Sequence, residues 1–289
     1  MKTLSILFAC ALIFYSCRPD ISFLWTKDNQ NPLDGIIGIP TVIKDGGIYK
    51  MWYGDKDGIN YADSIDGIDW NLYDSNPIIS MPEEDYPYEP SVIKNSEDTY
   101  EIWFASVFSP TYYSFSDDGI NWSAPQEVIN ILFSSGSPMV IKDGSTYKMW
   151  HRLSEPDEDK TGYSTSSDGI NWTPPELVLD VGKPSRWDDD DAVDPCVIKD
   201  GETYRMWYRG EQRSTDTSSI GYATSKDGIN WIKYEFPIMI PDANWEGNDI
   251  HNPFVIKDGD IYKMWYADEY GESGMGYAYA TTEQLPILD

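Results

Sequence analysis

Residues 40–53 read PTVIKDGGIYKMWY, and this stretch decides the fold because it returns four more times along the chain. The other copies are PSVIKNSEDTYEIWF from Pro90, PMVIKDGSTYKMWH from Pro138, PCVIKDGETYRMWY from Pro195 and PFVIKDGDIYKMWY from Pro253. In each copy a short Val-Ile run meets Asp-Gly or its equivalent, a strong two-residue turn signal, and an alternating aromatic and aliphatic run follows. Each copy therefore predicts a β-hairpin.

A second hairpin follows the first in four of the five copies. These segments share the pattern Ser-x-Asp-Gly-x-x-Trp and end at Trp70, Trp122, Trp172 and Trp231. Four strands per unit, repeated at a period of about 50 residues without helical periodicity, are typical of propeller blades. The sequence therefore predicts an all-β protein, a five-bladed β-propeller with four-stranded blades.

The fifth copy lacks the second hairpin, so the outer strand of the last blade is missing from its own segment. Residues 21–27, ISFLWTK, resemble residues 228–233, GINWIK, where an outer strand is expected. We predict that the N-terminal strand completes the last blade, which would remove an exposed sheet edge by joining the two chain ends.

The composition excludes two broad classes of protein. The 21 Lys and Arg residues stand against 49 Asp and Glu, so the formal net charge of −28 would repel a nucleic acid backbone. Disordered acidic chains contain few aromatic residues, whereas this chain has 12 Trp, 21 Tyr and 9 Phe. A folded domain with a large aromatic core, and no nucleic acid partner, is expected.

The N-terminus predicts export. Residues 1–17, MKTLSILFACALIFYSC, place Lys2 before an apolar run that is too short to span a bilayer. Cys17 follows small Ser16, as in the bacterial lipobox, so Cys17 is a candidate for lipidation and for the only membrane attachment; Cys10 is a weaker second candidate. A plain secreted protein is the alternative. Residues 18–289 would then form one propeller domain, with Cys196 as a buried small hydrophobic residue.

Topology predicts which face of the propeller carries function. If the first strand of each blade is innermost, its start and the end of the second strand open on one face, and the Asp-Gly turns lie on the other. The residues before the prolines are Ile39, Glu89, Ser137, Asp194 and Asn252, and those after the second strands include Asp55, His151, Arg152, Arg209 and Asp268. These residues differ between blades on a repeating scaffold, as a binding or catalytic site does. The second histidine, His251, falls on the same face; the edge of the propeller formed by these strand starts and ends is called the rim below. The two arginines could clamp an acidic group or pair with internal carboxylates.

The loops entering blades 4 and 5 align as WDDDDAVDP from Trp187 and WEGNDIHNP from Trp245. An aromatic face beside carboxylates suits carbohydrate binding, so both tryptophans are candidate sugar-stacking residues. The run from Asp188 to Asp191 could bind Ca²⁺ through carboxylate oxygens, or it could be a solvated acidic loop. No Cys/His zinc site can be built from one mature cysteine and two histidines.

The blade pattern as a whole, over nearly the entire mature chain, resembles the five-bladed propeller glycosidases of the arabinanase, levansucrase and invertase superfamily, which includes glycoside hydrolase families 43 and 32. The resemblance implies carboxylates at the channel mouth, often at the residue before the proline of an inner strand. Carried over by that rule, Glu89 would be the acid and Asp194 the base of a glycoside hydrolase. The family's usual aspartate in the first blade is replaced by Ile39, and Asp34, Asp55, Asp249 and Asp268 are possible substitutes, with Asp249 counted among the catalytic candidates.

Two further functions stay open at this point. A cell-surface carbohydrate-binding lipoprotein would keep the sugar site without a close carboxylate pair. A protein-interaction scaffold would show a broad apolar patch and no deep pocket. An exported glycoside hydrolase with a carbohydrate substrate is the function that the residues favour.

Overall fold

The computed structural model describes residues 25–82, 86–106, 110–130, 136–268 and 274–288. In these ranges the chain forms twenty β-strands and a 3-10 turn at Asn244–Glu246. The predicted signal segment and the lipidation candidate Cys17 lie outside the described residues.

The strands form five four-stranded antiparallel groups, which are named blades 1 to 5 in the order of their first strands. Blade 1 contains β2 (Ile39–Asp45), β3 (Ile48–Asp55), β4 (Gly58–Ser64) and β5 (Asn71–Leu72). Blade 2 contains β6 (Pro87–Lys94), β7 (Tyr100–Ser106), β8 (Thr111–Ser116) and β9 (Gln126–Ile129). Blade 3 contains β10 (Met139–Asp143), β11 (Thr146–Glu155), β12 (Glu158–Ser166) and β13 (Glu176–Leu179). Blade 4 contains β14 (Asp191–Asp200), β15 (Thr203–Gln212), β16 (Thr217–Ser225) and β17 (Trp231–Lys233). Blade 5 contains β18 (Ile250–Asp258), β19 (Ile261–Asp268), β20 (Met275–Thr281) and, from the N-terminus, β1 (Thr26–Lys27).

The first strands of the blades surround a common axis. Strand β2 contacts β6, β6 contacts β10, β10 contacts β14 and β14 contacts β18, and β18 contacts β2 again. A single parallel pair, Asp159 with Asp191, also links blades 3 and 4. The all-β propeller predicted from the repeats is confirmed.

The two ends of the chain close the ring together. Thr26 and Lys27 of β1 pair with Tyr279 and Ala278 of β20. The ammonium of Lys27 lies 2.7 Å from the buried carboxylate of Glu246, as an equivalent lysine and aspartate pair does in blade 4. The prediction that the N-terminal strand completes the last blade is confirmed.

Tryptophan pairs connect each blade to the one before it. The outer tryptophan of each blade packs edge-on against the central tryptophan of the preceding blade, with ring centroids 6.0–6.3 Å apart. The five pairs are Trp70–Trp265, Trp122–Trp52, Trp172–Trp103, Trp231–Trp150 and Trp25–Trp207. All five central rings are fully buried, which gives the repeated tryptophans a packing role.

The missing hairpin of blade 5 leaves a specific trace in this arrangement. In the other four pairs the central indole donates to the carbonyl of an Asp-Gly turn, as Trp103 Nε1 does to Gly169 at 2.8 Å. Gly169 has φ 78° and leaves no room for a Cβ beside Trp103, so glycine is required there. Blade 5 supplies no such turn, and the central Trp207 Nε1 is buried without a hydrogen-bond partner. The outer Trp25 Nε1 also has no partner, as is the case for the outer Trp122 Nε1 of blade 2.

Candidate active site

Four of the five residues before the repeated prolines adopt left-handed backbone conformations. Glu89, Ser137, Asp194 and Asn252 have φ values of 50°, 46°, 51° and 45°. This conformation is costly for residues other than glycine, and proline disfavours helical conformations in the residue before it. In three of these blades the strand pairing also shifts at the same place, between residues 88 and 91, 193 and 196, and 251 and 254. Blade 1 differs, because Ile39 pairs regularly with Gly54. Strain of this kind clusters at functional sites.

A cavity of about 860 Å³ lies over these strand starts. One wall comes from blades 1 and 2 and includes Ile37, Gly38, Ile39, Gly54, Asp55, Lys56, Tyr86, Tyr88 and Glu89. The other comes from blades 3 to 5 and includes Arg152, Asp191, Asp194, Arg209, Glu211, Asp216, Ser218, Asp249, His251 and Asn252. The cavity therefore lies on the face that the topology predicts, at the starts of the first strands and the ends of the second.

Glu89 and Asp194 meet at the floor of this cavity through Ser137. Both carboxyl groups are almost fully buried. The Ser137 hydroxyl lies 2.9 Å from Glu89 Oε1 and 2.6 Å from Asp194 Oδ1, and the Ser137 main-chain N–H donates to Glu89 Oε2 at 2.6 Å. The nearest oxygens of the two carboxyl groups therefore lie no more than about 5.5 Å apart, which is the combined length of the two contacts to the hydroxyl.

Two arginines neutralise this acidic floor. Arg152 Nη2 lies 3.2 Å from Glu89 Oε1 and 3.0 Å from Asp194 Oδ1. Arg209 Nε donates to Asp194 Oδ2 at 3.0 Å, and its other nitrogens contact Asp191 and Glu211. Both guanidinium groups are thus engaged by the protein's own carboxylates, which is the internal pairing that the sequence left open.

The two buried carboxyl groups differ in proton affinity. Burial raises the pKa of Glu89, and the neighbouring Asp194 carboxylate adds to this effect while Arg152 opposes it. Burial also acts to raise the pKa of Asp194, but Arg209 and Arg152 outweigh burial and hold that pKa well below its ordinary range. A protonated carboxyl beside an ionised one is the arrangement that acid and base chemistry at one site requires.

The cavity as a whole is acidic. Its described lining contains seven carboxyl side chains, those of residues 55, 89, 191, 194, 211, 216 and 249, against three cationic side chains. Because Arg152 and Arg209 are already paired, Lys56 is the cation of the described lining without an ion pair. A bound anion would meet a negative electrostatic potential here.

The structure brings six of the remaining predicted site residues to the cavity and leaves four elsewhere. Those that line it are Asp55, Arg152, Arg209, Asp249, His251 and Asn252. Those outside the lining are His151, Trp187, Trp245 and Asp268. The exposed Asp34 also lies outside the lining.

Two carboxyl groups of the lining accept hydrogen bonds from the main chain. Asp55 Oδ1 accepts from the main chain of the following turn, and Asp249 Oδ1 accepts from the Ser218 N–H at 2.8 Å. Burial, followed by the charge of Arg209, lowers the pKa of His251, so its imidazole is neutral at neutral pH. His151, outside the lining, is buried, and its Nε2 lies 3.1 Å from Ser164 Oγ.

The two loop tryptophans are partly buried against tyrosines and lie outside the cavity lining, so their position does not support the predicted sugar-stacking role in this cavity. Trp187 lies against Tyr208 with ring centroids 5.7 Å apart, and Trp245 lies against Tyr266 in the same way. The two loops align because they perform the same packing function. Asp268 is likewise buried, in register with Ile250 at the start of blade 5.

The acidic run that could bind Ca²⁺ uses its carboxylates within the protein. Asp188 is buried and pairs with Lys233 at 2.8 Å, while Asp190 pairs with Arg213 and Asp191 with Arg209. Within the described ranges, no group of three or more His, Cys, Asp or Glu side chains is arranged to hold a metal ion. The same ranges contain no helix that is long and apolar enough to cross a membrane.

Sequence reasoning missed an aromatic wall of the cavity. Tyr86 and Tyr88 line it on the blade 2 side, with ring centroids 6.1 Å apart, and Tyr86 is 40% exposed. The signal was present, because Tyr86 directly precedes β6 and Tyr88 lies in it, so the two tyrosines alternate along an extended stretch that leads to Glu89. The loop tryptophans drew the aromatic prediction to another place.

Solved structures match this architecture over nearly its whole length. A β-1,2-mannobiose phosphorylase from Listeria innocua, in complex with β-1,2-mannobiose, superposes with a TM-score of 0.76 at 17% identity, covering 90% of this chain and 97% of that one. A thermostable family-43 glycoside hydrolase superposes with a TM-score of 0.66 at 17% identity, covering 86% and 90%. The chain has the fold of the propeller glycosidases.

Matches in sequence to curated proteins are shorter. An uncharacterized protein of Mycobacterium tuberculosis (strain CDC 1551 / Oshkosh) is 32% identical over 156 residues, which is 50% of this chain and 50% of that protein. A β-1,2-mannobiose phosphorylase of Thermoanaerobacter sp. (strain X514) is 25% identical over 107 residues, 33% of this chain and 35% of that enzyme. The chain thus matches no more than half the length of these relatives, and no protein-family model matches it.

Proposed function

We propose that this protein is a glycoside hydrolase that acts on a neutral carbohydrate in the cavity above Glu89 and Asp194. The observation that carries the proposal is the pair itself. Two buried carboxyl groups contact one hydroxyl, and burial and the arginines move their pKa values in opposite directions. Glycoside hydrolysis requires one protonated and one ionised carboxyl at the scissile bond.

Glu89 is the proton donor of the proposed reaction. Its raised pKa keeps a proton available, and it lies in the cavity lining, where a glycosidic oxygen could accept that proton. Loss of the proton leaves Glu89 as a carboxylate, which Arg152 stabilises from 3.2 Å. Positive charge that develops at the anomeric carbon as the bond breaks would meet this acidic lining, which stabilises it.

Asp194 is the ionised partner. Its oxygens accept three hydrogen bonds, from Ser137, Arg152 and Arg209, and a carboxylate has about four acceptor positions. One position is left to face the substrate. Contacts of 2.9 and 2.6 Å to one hydroxyl keep the nearest oxygens of Glu89 and Asp194 within about 5.5 Å, which matches the roughly 5–5.5 Å at which an ionised carboxylate attacks the anomeric carbon and water later releases the sugar, rather than the roughly 6.5–9.5 Å of a base that activates water. Asp249, on the same wall of the cavity as Asp194 and with no cationic partner in the part of the chain that the structure describes, is the candidate for a base that activates water.

Phosphorolysis is the competing reaction, because relatives in sequence and in fold are named as mannoside phosphorylases. The charge of the cavity favours hydrolysis. An inorganic phosphate dianion would have to enter a lining with seven carboxyl groups, where both arginines already hold carboxylates. Water carries no such penalty.

The test is an activity assay with and without phosphate. The purified protein is incubated with a panel of neutral glycosides that begins with β-1,2-mannobiose, and free sugar and sugar phosphate are measured separately. We expect free sugar at a rate that phosphate does not increase. Formation of a sugar phosphate would overturn the hydrolytic assignment in favour of phosphorolysis.

Variants assign the roles. Glu89→Gln and Asp194→Asn should each lower kcat by at least about 100-fold, since acid or base catalysis by one group contributes roughly 10²–10⁴-fold. Glu202→Gln is the matched control, because Glu202 is exposed in the Asp-Gly turn between β14 and β15 on the other face. Activity that survives Asp194→Asn but is lost in Asp249→Asn would move the base to Asp249.

Two outcomes would favour the alternatives. Glycan binding measured by calorimetry without any turnover would support a carbohydrate-binding protein, and the absence of both would remove the carbohydrate hypothesis. We also propose export with lipidation at Cys17. Metabolic labelling with a fatty-acid probe tests this, and loss of label in Cys17→Ser but not in Cys10→Ser is expected.

A further inference from the structure

Ser137 holds a place in the repeat that three other blades fill with a carboxyl or amide side chain. It is buried at the start of the blade 3 inner strand, and its left-handed backbone points the hydroxyl between Glu89 and Asp194. Its hydroxyl contacts Glu89 Oε1 at 2.9 Å, Asp194 Oδ1 at 2.6 Å and Arg152 Nη2 at 3.3 Å.

A hydroxyl carries one hydrogen and can donate it to only one of the two carboxyls. Asp194 has the stronger demand, because two guanidinium groups keep it ionised and its contact with Ser137 is the shorter one. When the hydrogen points to Asp194, the oxygen of Ser137 presents a lone pair to Glu89. That lone pair accepts a hydrogen bond from protonated Glu89, and it repels the negative charge of ionised Glu89.

We propose that Ser137 is a positioning residue that selects which carboxyl keeps the proton: protonated Glu89 donates to the Ser137 hydroxyl, and Ser137 donates to Asp194. The proposal deepens the proposed function and rests on it, since it assigns the proton of the catalytic acid. The proposed role belongs to the side-chain hydroxyl of Ser137 and not to its main chain. The main-chain N–H of Ser137 independently fixes Glu89 through Oε2 at 2.6 Å.

Other titratable groups also act on this pair, and all of them are still present when the hydroxyl is removed. Those facing Glu89 or Asp194 are Tyr88, Arg152, Arg209 and His251, with Asp159 and Asp191 behind the arginines. The main-chain N–H of Ser137 and the arginine both favour the ionised form of Glu89. Removal of the hydroxyl therefore takes away a partner of the protonated form and leaves the partners of the ionised form.

The experiment measures the titration of Glu89 directly, without substrate. Isotope-edited infrared difference spectra of the full chain report the protonated carboxyl C=O band, and its absence in Glu89→Gln assigns it. In Ser137→Ala and Ser137→Gly we expect the titration midpoint of this band to fall by about one pH unit, since one hydrogen bond is worth about that much. Glycine tolerates the φ of 46° at this position, so the second variant guards against strain in the first.

Ser91→Ala is the matched control. Ser91 is also a buried serine that links blades 2 and 3, but its hydroxyl accepts from the Val140 N–H at 3.0 Å. Its removal should leave the Glu89 band unchanged. A midpoint that rises in the Ser137 variants would mean that the hydroxyl donates to ionised Glu89, and a midpoint that does not move would mean a packing role; either result overturns the proposal.

The spectroscopic test and the activity test can fail separately. If no glycoside is cleaved, the proposed function fails while the titration still decides the role of Ser137. If the protein is active, the basic limb of the pH profile of kcat/KM, which reports the free protein, should move to lower pH by the same one unit in Ser137→Ala, because the acid must be protonated to act. An unshifted limb in the active variant would contradict the proposal.

Discussion

Trp25 should be as important to stability as a tryptophan in the middle of the chain, although it comes from the N-terminal segment. Its side chain is 5% exposed and packs edge-on against Trp207 at 6.2 Å. Trp25→Ala removes this contact and unties the strand that completes blade 5. Replacing a buried tryptophan by alanine costs about 3–5 kcal/mol.

The structure places the expected loss at the lower end of that range. Trp25 Nε1 has no hydrogen-bond partner, so the substitution breaks no hydrogen bond and removes a buried unsatisfied donor. We therefore expect Trp25→Ala to lower the free energy of unfolding by about 3 kcal/mol. Because the strand closes the ring, we expect the variant to unfold in a single cooperative transition at lower stability rather than in two separate transitions.

Urea denaturation followed by circular dichroism and by tryptophan fluorescence measures this loss. Trp231→Ala is the matched control, since Trp231 occupies the equivalent place in blade 4, is only partly buried, and donates to Gly228 O at 3.1 Å. A loss below about 1 kcal/mol for Trp25→Ala, within the range of an exposed surface change, would refute the role of the N-terminal strand in closing the ring.

Two further outcomes follow from the cavity and from the bonds between blades. Tyr86→Ala should raise KM about 2–10-fold with kcat nearly unchanged, because a stacked aromatic ring contributes about 0.5–1.5 kcal/mol. Phe115→Ala is the control in the same steady-state assay, since Phe115 is an exposed aromatic residue of β8 outside the cavity lining. An equal KM in the parent protein and both variants would exclude stacking on Tyr86. Stability should hold steady near neutral pH and fall below about pH 4, since the hydroxyl of Tyr100 and two lysines hold the pKa of Asp45 below its ordinary 3.8, and two lysines and a tyrosine do the same for Asp143. A carboxyl group whose pKa is lower in the folded than in the unfolded protein stabilises the fold at pH values above the unfolded pKa, and this contribution is lost as the pH falls through the folded pKa. The melting temperature of Asp45→Asn should therefore fall less steeply with decreasing pH than that of the parent protein. An equally steep fall would contradict the assignment.

The repeat pattern was sufficient to predict the fold. Period, turn residues and alternation are local properties of the chain, and each blade is one local unit, so strands such as β3 and β19 could be identified without any long-range information. The N-terminal strand was also readable, because Trp25 repeats the outer tryptophan of the other blades. The rim was predictable to the same extent, since topology alone puts the residues before the prolines on one face.

The composition of the site depended on contacts that the sequence does not record. Trp187 has the same local signal as an exposed sugar-binding tryptophan, and only the tertiary structure shows that it packs against Tyr208, outside the cavity lining. Tyr86 carries little signal by itself, yet blade geometry turns it toward the cavity.

The sequence by itself determined that this chain is a β-propeller closed by its own N-terminus and that Glu89 and Asp194 share a rim. Only the tertiary structure decided which carboxyl groups of that rim are held protonated or ionised and which partners they contact. Proton affinity depends on burial and on charges a few ångströms away, and residues 48 and 105 positions apart in the chain become neighbours only when the ring closes. The Ser137 hydroxyl between two carboxyls, and the two arginines already engaged by carboxylates, are therefore consequences of closure around the axis rather than of any local pattern.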